Sequence, residues 1–479
     1  MTAMGMTTMD TVMTMDILAM ITVTSHTLTN RVYKIKYLPL YPTLLPPGYS
    51  PMKQLTLLAM LVLYSASMGS STSMGGDWLN WRGPHGNGTA DGAGYPTEWS
   101  ADKNIIWKYE LHGRGASTPT IAGDSIFVTT TIDGQNTIIC IGMDGKQRWS
   151  STLGAAVEGK PGKDGTGANP STITDGTYVF AYFKSGDLGC YTVAGEQKWH
   201  KNLQTEYGED TLWWDLGTSP VLTKDAVVIA CMQTGPSYLA AFSKVDGSVI
   251  WKQDRNLGAP EEAAQSYATP VVVDEPDRQV IVVLGADHVT AHNAADGKEL
   301  WRVGGLNPTN HKYFRSIASA AVSDGIVVAP YARGESLTAI KMGGQGDVTS
   351  SHIAWFNEAT SADVPTPAIA NGRIFNCRDT GDARGTIDCL DLLTGKKIWS
   401  GVLPKNRNTY RSSPTVADGK LYIARQDGTV FVLDAMGSEF KILAENSIAE
   451  EHTVASPVCI DGKIILRTDT HVYCIGNKA

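Results

Sequence analysis

The phrase Asp144-Gly-Lys-Gln-Arg-Trp149 returns four times: as Ala194-Gly-Glu-Gln-Lys-Trp199, Asp246-Gly-Ser-Val-Ile-Trp251, Asp296-Gly-Lys-Glu-Leu-Trp301 and Thr394-Gly-Lys-Lys-Ile-Trp399. Trp107 and Trp355 keep the same beat without the full phrase. The seven tryptophans stand 42 to 54 residues apart. A period in this range is the mark of a repeat architecture, in which each unit buries its apolar face only against the next.

A second phrase runs in phase with the first: a small residue, Ser or Thr, Pro, an apolar run, a Gly turn and another apolar run. It appears at Ser117-Thr-Pro119, Ala168-Asn-Pro170, Thr218-Ser-Pro220, Ala268-Thr-Pro270, Pro365-Thr-Pro367, Ser412-Ser-Pro414 and Ala455-Ser-Pro457, and without its Pro at Ala318-Ser-Ala320. Eight units follow. Within the seventh, Ser413–Val416, Leu421–Ala424 and Thr429–Asp434 read as strands, the first two joined by the turn Ala417-Asp-Gly-Lys420. Asp-Gly between β runs is a strong hairpin signal. Pro is tolerated at the first residue of a strand. Four-stranded units of 40 to 50 residues are propeller blades, an architecture that WD40 repeats share.

The sequence therefore predicts an all-β fold, an eight-bladed β-propeller of four-stranded antiparallel blades over residues 104–479. The eighth unit shows only three strands. The run Asn104-Ile-Ile-Trp107-Lys-Tyr-Glu-Leu111 has the outer-strand pattern without a blade of its own, and is expected to close the ring and remove an open sheet edge.

The bulk numbers agree. Of 479 residues 42% are apolar and 49 are Gly, which suits short strands and many turns. A formal charge of −8 argues against a nucleic-acid partner. The seven cysteines form no CxxC and no adjacent pair. They read as small buried hydrophobes, with a Cys377–Cys389 bridge across one hairpin as the alternative. CxxCH is missing, so covalent haem attachment is not expected.

Residues 1–51 are rich in Met and Thr and lack periodicity, reading as a non-native upstream extension. Met52-Lys-Gln54, the apolar run Leu55–Tyr64 and the small residues Ser65–Ser71 form a secretory signal, with translation expected to start at Met52. Its ten-residue core is too short for a transmembrane helix. Residues 72–103 form a lead-in to the propeller. The expected location is periplasmic or secreted.

The Gly-x-x-x-Trp phrase at Gly145–Trp149, Gly195–Trp199, Gly247–Trp251, Gly297–Trp301 and Gly395–Trp399 resembles that of the PQQ-like eight-bladed β-propeller family. That family includes the quinoprotein alcohol dehydrogenases and the BamB-type proteins of outer-membrane assembly. The opening Trp78-Leu-Asn-Trp81-Arg-Gly-Pro84 resembles the start of secreted PQQ-like repeat proteins of planctomycete type. The resemblance implies either a binding scaffold or a dehydrogenase holding pyrroloquinoline quinone (PQQ) and Ca²⁺ in the channel mouth. Four features depart from it: no vicinal Cys–Cys pair of the kind many dehydrogenases carry, short blades without the insertions that roof the cofactor in that family, no Ca²⁺-binding loop with several carboxylates, and no lipid-attachment Cys after the apolar core.

In a propeller the loops from one blade's outer strand to the next blade's inner strand converge on one channel mouth. The fifth residue before each Pro falls there: Arg114, Gly165, Asp215, Gln265, Arg315, Ala362, Thr409 and His452. Nearby stand Lys160, Lys163, Glu206, Glu209, Asp210, Trp213, Trp214, Tyr267, His311, Lys312, Tyr313, Tyr410, Arg411, Glu450 and Glu451. In a functional reading Arg114, Arg315 and Arg411 fork onto carboxylates. Trp213 or Trp214 stacks on a planar ring or sugar, Gln265 hydrogen-bonds, Asp215 is a base or metal ligand, and His452 carries a proton. In a structural reading they are loop residues, with Arg–Asp pairs spanning blades. Gly-x-Ser-x-Gly, HExxH and the P-loop are not found.

The expectation is an exported propeller that binds a protein, a small molecule or a glycan at its mouth and works as a monomer. The alternatives are a PQQ- and Ca²⁺-dependent dehydrogenase, with Asp215 as base and Arg315 as electrostatic partner, and a carbohydrate-binding propeller.

Overall fold

Asp-Gly turns set the geometry of the blades. In Asp133-Gly134, Asp324-Gly325, Asp418-Gly419 and Asp461-Gly462 both residues have positive φ, from 46° to 72°. Two residues of positive φ make the tight turn whose twist matches paired antiparallel strands. The computed structural model describes residues 76–159, 164–358, 360–448 and 450–477. The upstream extension, the expected signal segment, Lys160 and Lys163 lie outside them.

Among the described residues the strands form eight sheets, each built on four antiparallel strands, and in blades 1 to 7 these run in sequence order from the channel outward. Blade 1 comprises Thr120–Ala122, Ser125–Ile132, Gln135–Gly142 and Gln147–Ala155. Middle strands such as Ala226–Cys231 and Ile326–Tyr331 are buried almost throughout, because both faces pack against neighbouring blades. Outer strands alternate, as Ile105–Glu110 does, with one face in solvent. That last strand is the outer strand of blade 8. It pairs antiparallel with His471–Gly476, Trp107 opposite Cys474, and so belongs to the sheet of Val458–Ile460 and Lys463–Arg467.

The Gly–Trp phrase is an inter-blade joint. The rings of Trp107, Trp149, Trp199, Trp251 and Trp355 lie against Gly145, Gly195, Gly247, Gly297 and Gly395 of the following blade. Their indole N–H groups donate to the carbonyls of Met143, Val193, Lys244, Ala294 and Leu392 at 2.9 to 3.0 Å. Blades 5, 7 and 8 lack the phrase, and a Trp faces the first two of these. The tryptophans facing them, Trp301 and Trp399, are buried with no hydrogen-bond partner for the indole N–H among the described residues.

A closed circle of hydroxyls lines the channel. The backbone N–H of Thr118 donates to Ser171 Oγ, and the chain continues through Ser219, Thr269, Ser319, Thr366, Ser413 and Ser456 back to Thr118, each step 2.8 to 3.1 Å. This circle corrects the phase of blade 2. Its member there is Ser171, and the innermost strand begins at Ile173, so Thr172 occupies the place that Pro holds elsewhere. Pro170 stands two residues too early. The mouth position of blade 2 is therefore Gly167, not Gly165.

The lead-in crosses the end of the channel opposite the mouth. Its backbone bonds to the innermost strands at Ile121, Thr174, Ile369 and Val416, in blades 1, 2, 6 and 7. Thr89–Ala90 adds a short parallel strand to blade 7. Arg82 is buried, its guanidinium donating to the carbonyls of Pro414 and Pro367, both at 3.0 Å. Trp78 is buried beside Ile121.

All seven cysteines are free, Cys377 and Cys389 included, and all but Cys231 are fully buried. The alternative of a bridge does not hold. Among the described residues no helix is long and apolar enough to cross a membrane.

Candidate functional site

With one end of the channel crossed by the lead-in, the mouth opens on a cavity of about 470 Å³. All eight hydroxyl-circle residues line it, together with Trp81 from the lead-in and, from the mouth loops, Asp164, Trp214, Asp215, Arg315, Asp363 and Arg411. Of the ring positions read from sequence, Gly165, Asp215 and Arg315 line the cavity, and so do the neighbours Trp214, Tyr267 and Arg411. Arg114, Gln265 and His452 lie off it.

Each charged group on the wall has an internal partner. Arg315 forks onto Asp363 at 2.9 and 3.0 Å, and its Nε stands 3.3 Å from the buried Glu262. Arg411 reaches Asp379 at 2.9 Å and Asp164 at 3.2 Å. Oδ2 of Asp215 accepts from the N–H groups of Thr166 and Gly167 and from the Asn169 amide, at 2.8 to 3.0 Å. Its Oδ1 stands 3.2 Å from the buried Lys184 ammonium, a Coulomb contact not aligned as a hydrogen bond.

Behind the wall, Nδ1 of His452 faces Asp469 at 3.2 Å and Nε2 faces Asp164 at 3.1 Å. The hydrogen bond to Asp164, then the one to Asp469, raise its pKa to about 9. Both ring nitrogens then donate, and the imidazolium ties the loop before blade 2 to blade 8. Arg114 pairs with the other oxygen of Asp469 at 3.3 Å. Burial pushes the Asp379 carboxyl up to about 6, with Asp363 adding to it, against the pull of Arg411.

Gln265 is fully buried. Its Oε1 accepts from the N–H of Trp213 at 3.0 Å and from the Tyr267 hydroxyl at 2.8 Å. That hydroxyl accepts from the N–H of Trp214 at 3.1 Å, and the Trp214 indole donates to Glu262 at 2.8 Å. Gln265 thus positions the Trp213–Trp214 pair from behind.

Sequence reading missed Asp164, Asp363, Asp379, Glu262 and Trp81. The hydroxyl circle did carry a signal: in seven units a Ser or Thr stands directly before the Pro position, and no aligned position elsewhere in the unit repeats a hydroxyl so strictly.

The family model described as outer membrane protein assembly factor BamB matches residues 89–236, 184–377 and 347–478. The chain belongs to this family. BamB from Moraxella catarrhalis is similar in structure, with 14% identity, a TM-score of 0.55 and coverage of 77% of this chain and 98% of that one. So is the quinohemoprotein alcohol dehydrogenase of Comamonas testosteroni, with 12% identity, a TM-score of 0.57 and coverage of 84% and 81%. A europium-containing methanol dehydrogenase gives 10%, 0.58, 84% and 89%. At such identities these likenesses show the fold alone. No curated protein sequence matches the chain. The BamB-family assignment therefore leaves the role to the site.

Proposed function

We propose that the chain is an exported binding propeller without catalytic chemistry, and that the blind cavity at its mouth is the ligand site. The observation that carries this reading is the self-pairing of charge. Arg315 is held by Asp363 and Glu262, and Arg411 by Asp379 and Asp164. A general base needs a lone pair facing its substrate. Asp215 has its Oδ2 engaged by three donors and its Oδ1 against Lys184. His452 is held as an imidazolium between two carboxylates.

PQQ with Ca²⁺ does not fit these residues. PQQ carries carboxylates of its own. The described lining offers three carboxylates, Asp164, Asp215 and Asp363, against two guanidiniums already paired. Ca²⁺ requires about six to eight oxygen ligands. Among the described residues no group of three or more His, Cys, Asp or Glu side chains could hold a metal ion.

Export rests on the signal pattern from Met52 and on kinship with a family named for outer-membrane assembly. The test is a titration of purified protein with PQQ and Ca²⁺, followed by tryptophan fluorescence and dye-linked alcohol oxidation. Unchanged fluorescence and no dye reduction are expected. Saturable quenching with turnover overturns the reading.

A further inference from the structure

We infer that the ligand is a neutral carbohydrate, with one pyranose seated against Trp214 inside the cavity and the chain leaving over Trp213 and Tyr313. This rests on the binding reading above and names its ligand class.

Trp213 and Trp214 are 46% and 48% exposed, and Tyr313 beside them is 38% exposed. Large rings normally turn inward. Here buried polar groups hold them out. Gln265 fixes the Trp213 backbone, the Tyr267 hydroxyl fixes the Trp214 backbone, and Glu262 holds the Trp214 indole N–H. Glu262 is itself held by Arg315 and Arg333. The Trp214 ring and the backbone of both tryptophans are therefore fixed before any ligand arrives, which lowers the ordering cost of binding. The Trp213 and Tyr313 centroids lie 6.4 Å apart at 54°, so the aromatic surface continues past the cavity edge.

The chemistry of the walls selects the ligand. A pyranose has an apolar C–H face and an edge of hydroxyls that both donate and accept. The aromatic faces of Trp214 and Trp81 match the first. The second meets the hydroxyl circle, where each oxygen already accepts a backbone N–H and keeps its own O–H to give. An anion would meet carboxylates in excess of paired guanidiniums. A cation would find each lining carboxylate already engaged: Asp164 by Arg411 and His452, Asp215 by Lys184, Asp363 by Arg315. A neutral polyol meets neither obstacle.

The experiment is calorimetric titration of the full-length protein with neutral xylo-, cello-, malto- and manno-hexaose, with oligogalacturonate as the acidic counterpart, and with PQQ plus Ca²⁺ in parallel. One neutral series should bind with a change in tryptophan emission. Trp214→Ala should weaken it about tenfold or more, and Tyr313→Ala by less; melting should stay cooperative in both, lowered only modestly in Trp214→Ala because Arg315 and Arg333 still hold Glu262. Trp214→Phe should restore part of the affinity, since it keeps the ring and loses only the N–H. Absence of binding by every neutral series, tighter binding of the acidic one, or an unaltered affinity in Trp214→Ala overturns the carbohydrate inference and leaves the binding reading intact. Only PQQ binding with dye reduction overturns both.

Discussion

The indole of Trp107 lies across the Cα of Gly145, and its Nε1 donates to the carbonyl of Met143 at 2.9 Å. A Cβ at residue 145 would sit 2.7 Å from that ring, and φ there is +79°. Gly145→Ala should therefore destabilise twice over, by left-handed strain and by overpacking, for a total of about 2–4 kcal/mol. Gly123→Ala is the control. Its φ is +57° with nothing within 4 Å, so only the strain remains, about 1 kcal/mol. Urea unfolding of both variants checks this, and equal losses would refute the joint.

This joint explains why so much of the fold was legible. The phrase spans a few residues and repeats, so its period alone announces blades. Its gaps carry meaning too: at blades 5 and 7, where the phrase is missing, the facing Trp301 and Trp399 find no partner for the indole N–H among the described residues. The site was less legible for a physical reason. Asp164 and Asp363 stand one residue from the ring positions Gly165 and Ala362, so a count of five before each Pro passes them by, and Asp379 lies between the strands Arg373–Cys377 and Thr386–Asp391, outside the frame set by the Pro phrase. Pro170 carries the right residue type two places early, and only the hydroxyl circle reveals the slip. Trp81 reaches the cavity because the lead-in bonds to strands as distant as Val416, a contact with no local pattern behind it.

The circle makes a second prediction. Ser413 Oγ accepts the N–H of Thr366 at 2.9 Å in a buried setting. Ser413→Ala strands that donor and should destabilise by about 1–3 kcal/mol. Ser412, its neighbour, is equally buried, and its Oγ has no partner among the described residues. Ser412→Ala should be neutral or slightly stabilising, since it removes an unsatisfied hydroxyl. Ser413→Thr should be tolerated, because three members of the circle, Thr118, Thr269 and Thr366, are already Thr. Thermal melts of the three variants separate these outcomes.

His452 makes stability fall in alkali. Its pKa is about 9 in the folded protein, above the ordinary value near 6.5, because Asp164 and Asp469 face its two nitrogens. A group raised in this way contributes fully below pH ~6.5, and its contribution is lost as pH rises through about 9. The urea midpoint should accordingly decline between neutrality and pH ~9.5, and His452→Gln should flatten that decline. Asp164→Asn should lower the imidazole midpoint, read by proton NMR. A wild-type midpoint near 6.5 would remove the basis of the prediction.

Ring closure gives the strongest contrast. A chain starting at residue 112 lacks Ile105–Glu110, which leaves His471–Gly476 as an open edge and Gly145 without its Trp cap. An open edge of apolar strand invites pairing between molecules. This chain should be insoluble or melt without cooperativity. A chain starting at residue 104 keeps the closing strand and loses the lead-in, with buried Trp78 and the Arg82 bonds to Pro414 and Pro367. It should fold at a lower melting temperature, with the cavity open at its inner end. If the two truncations melt alike, the closing strand adds nothing beyond the lead-in, and stability comes from contacts within the remaining blades. Cooperative melting of the shorter chain at the full-length temperature would show that the eighth blade holds with three strands.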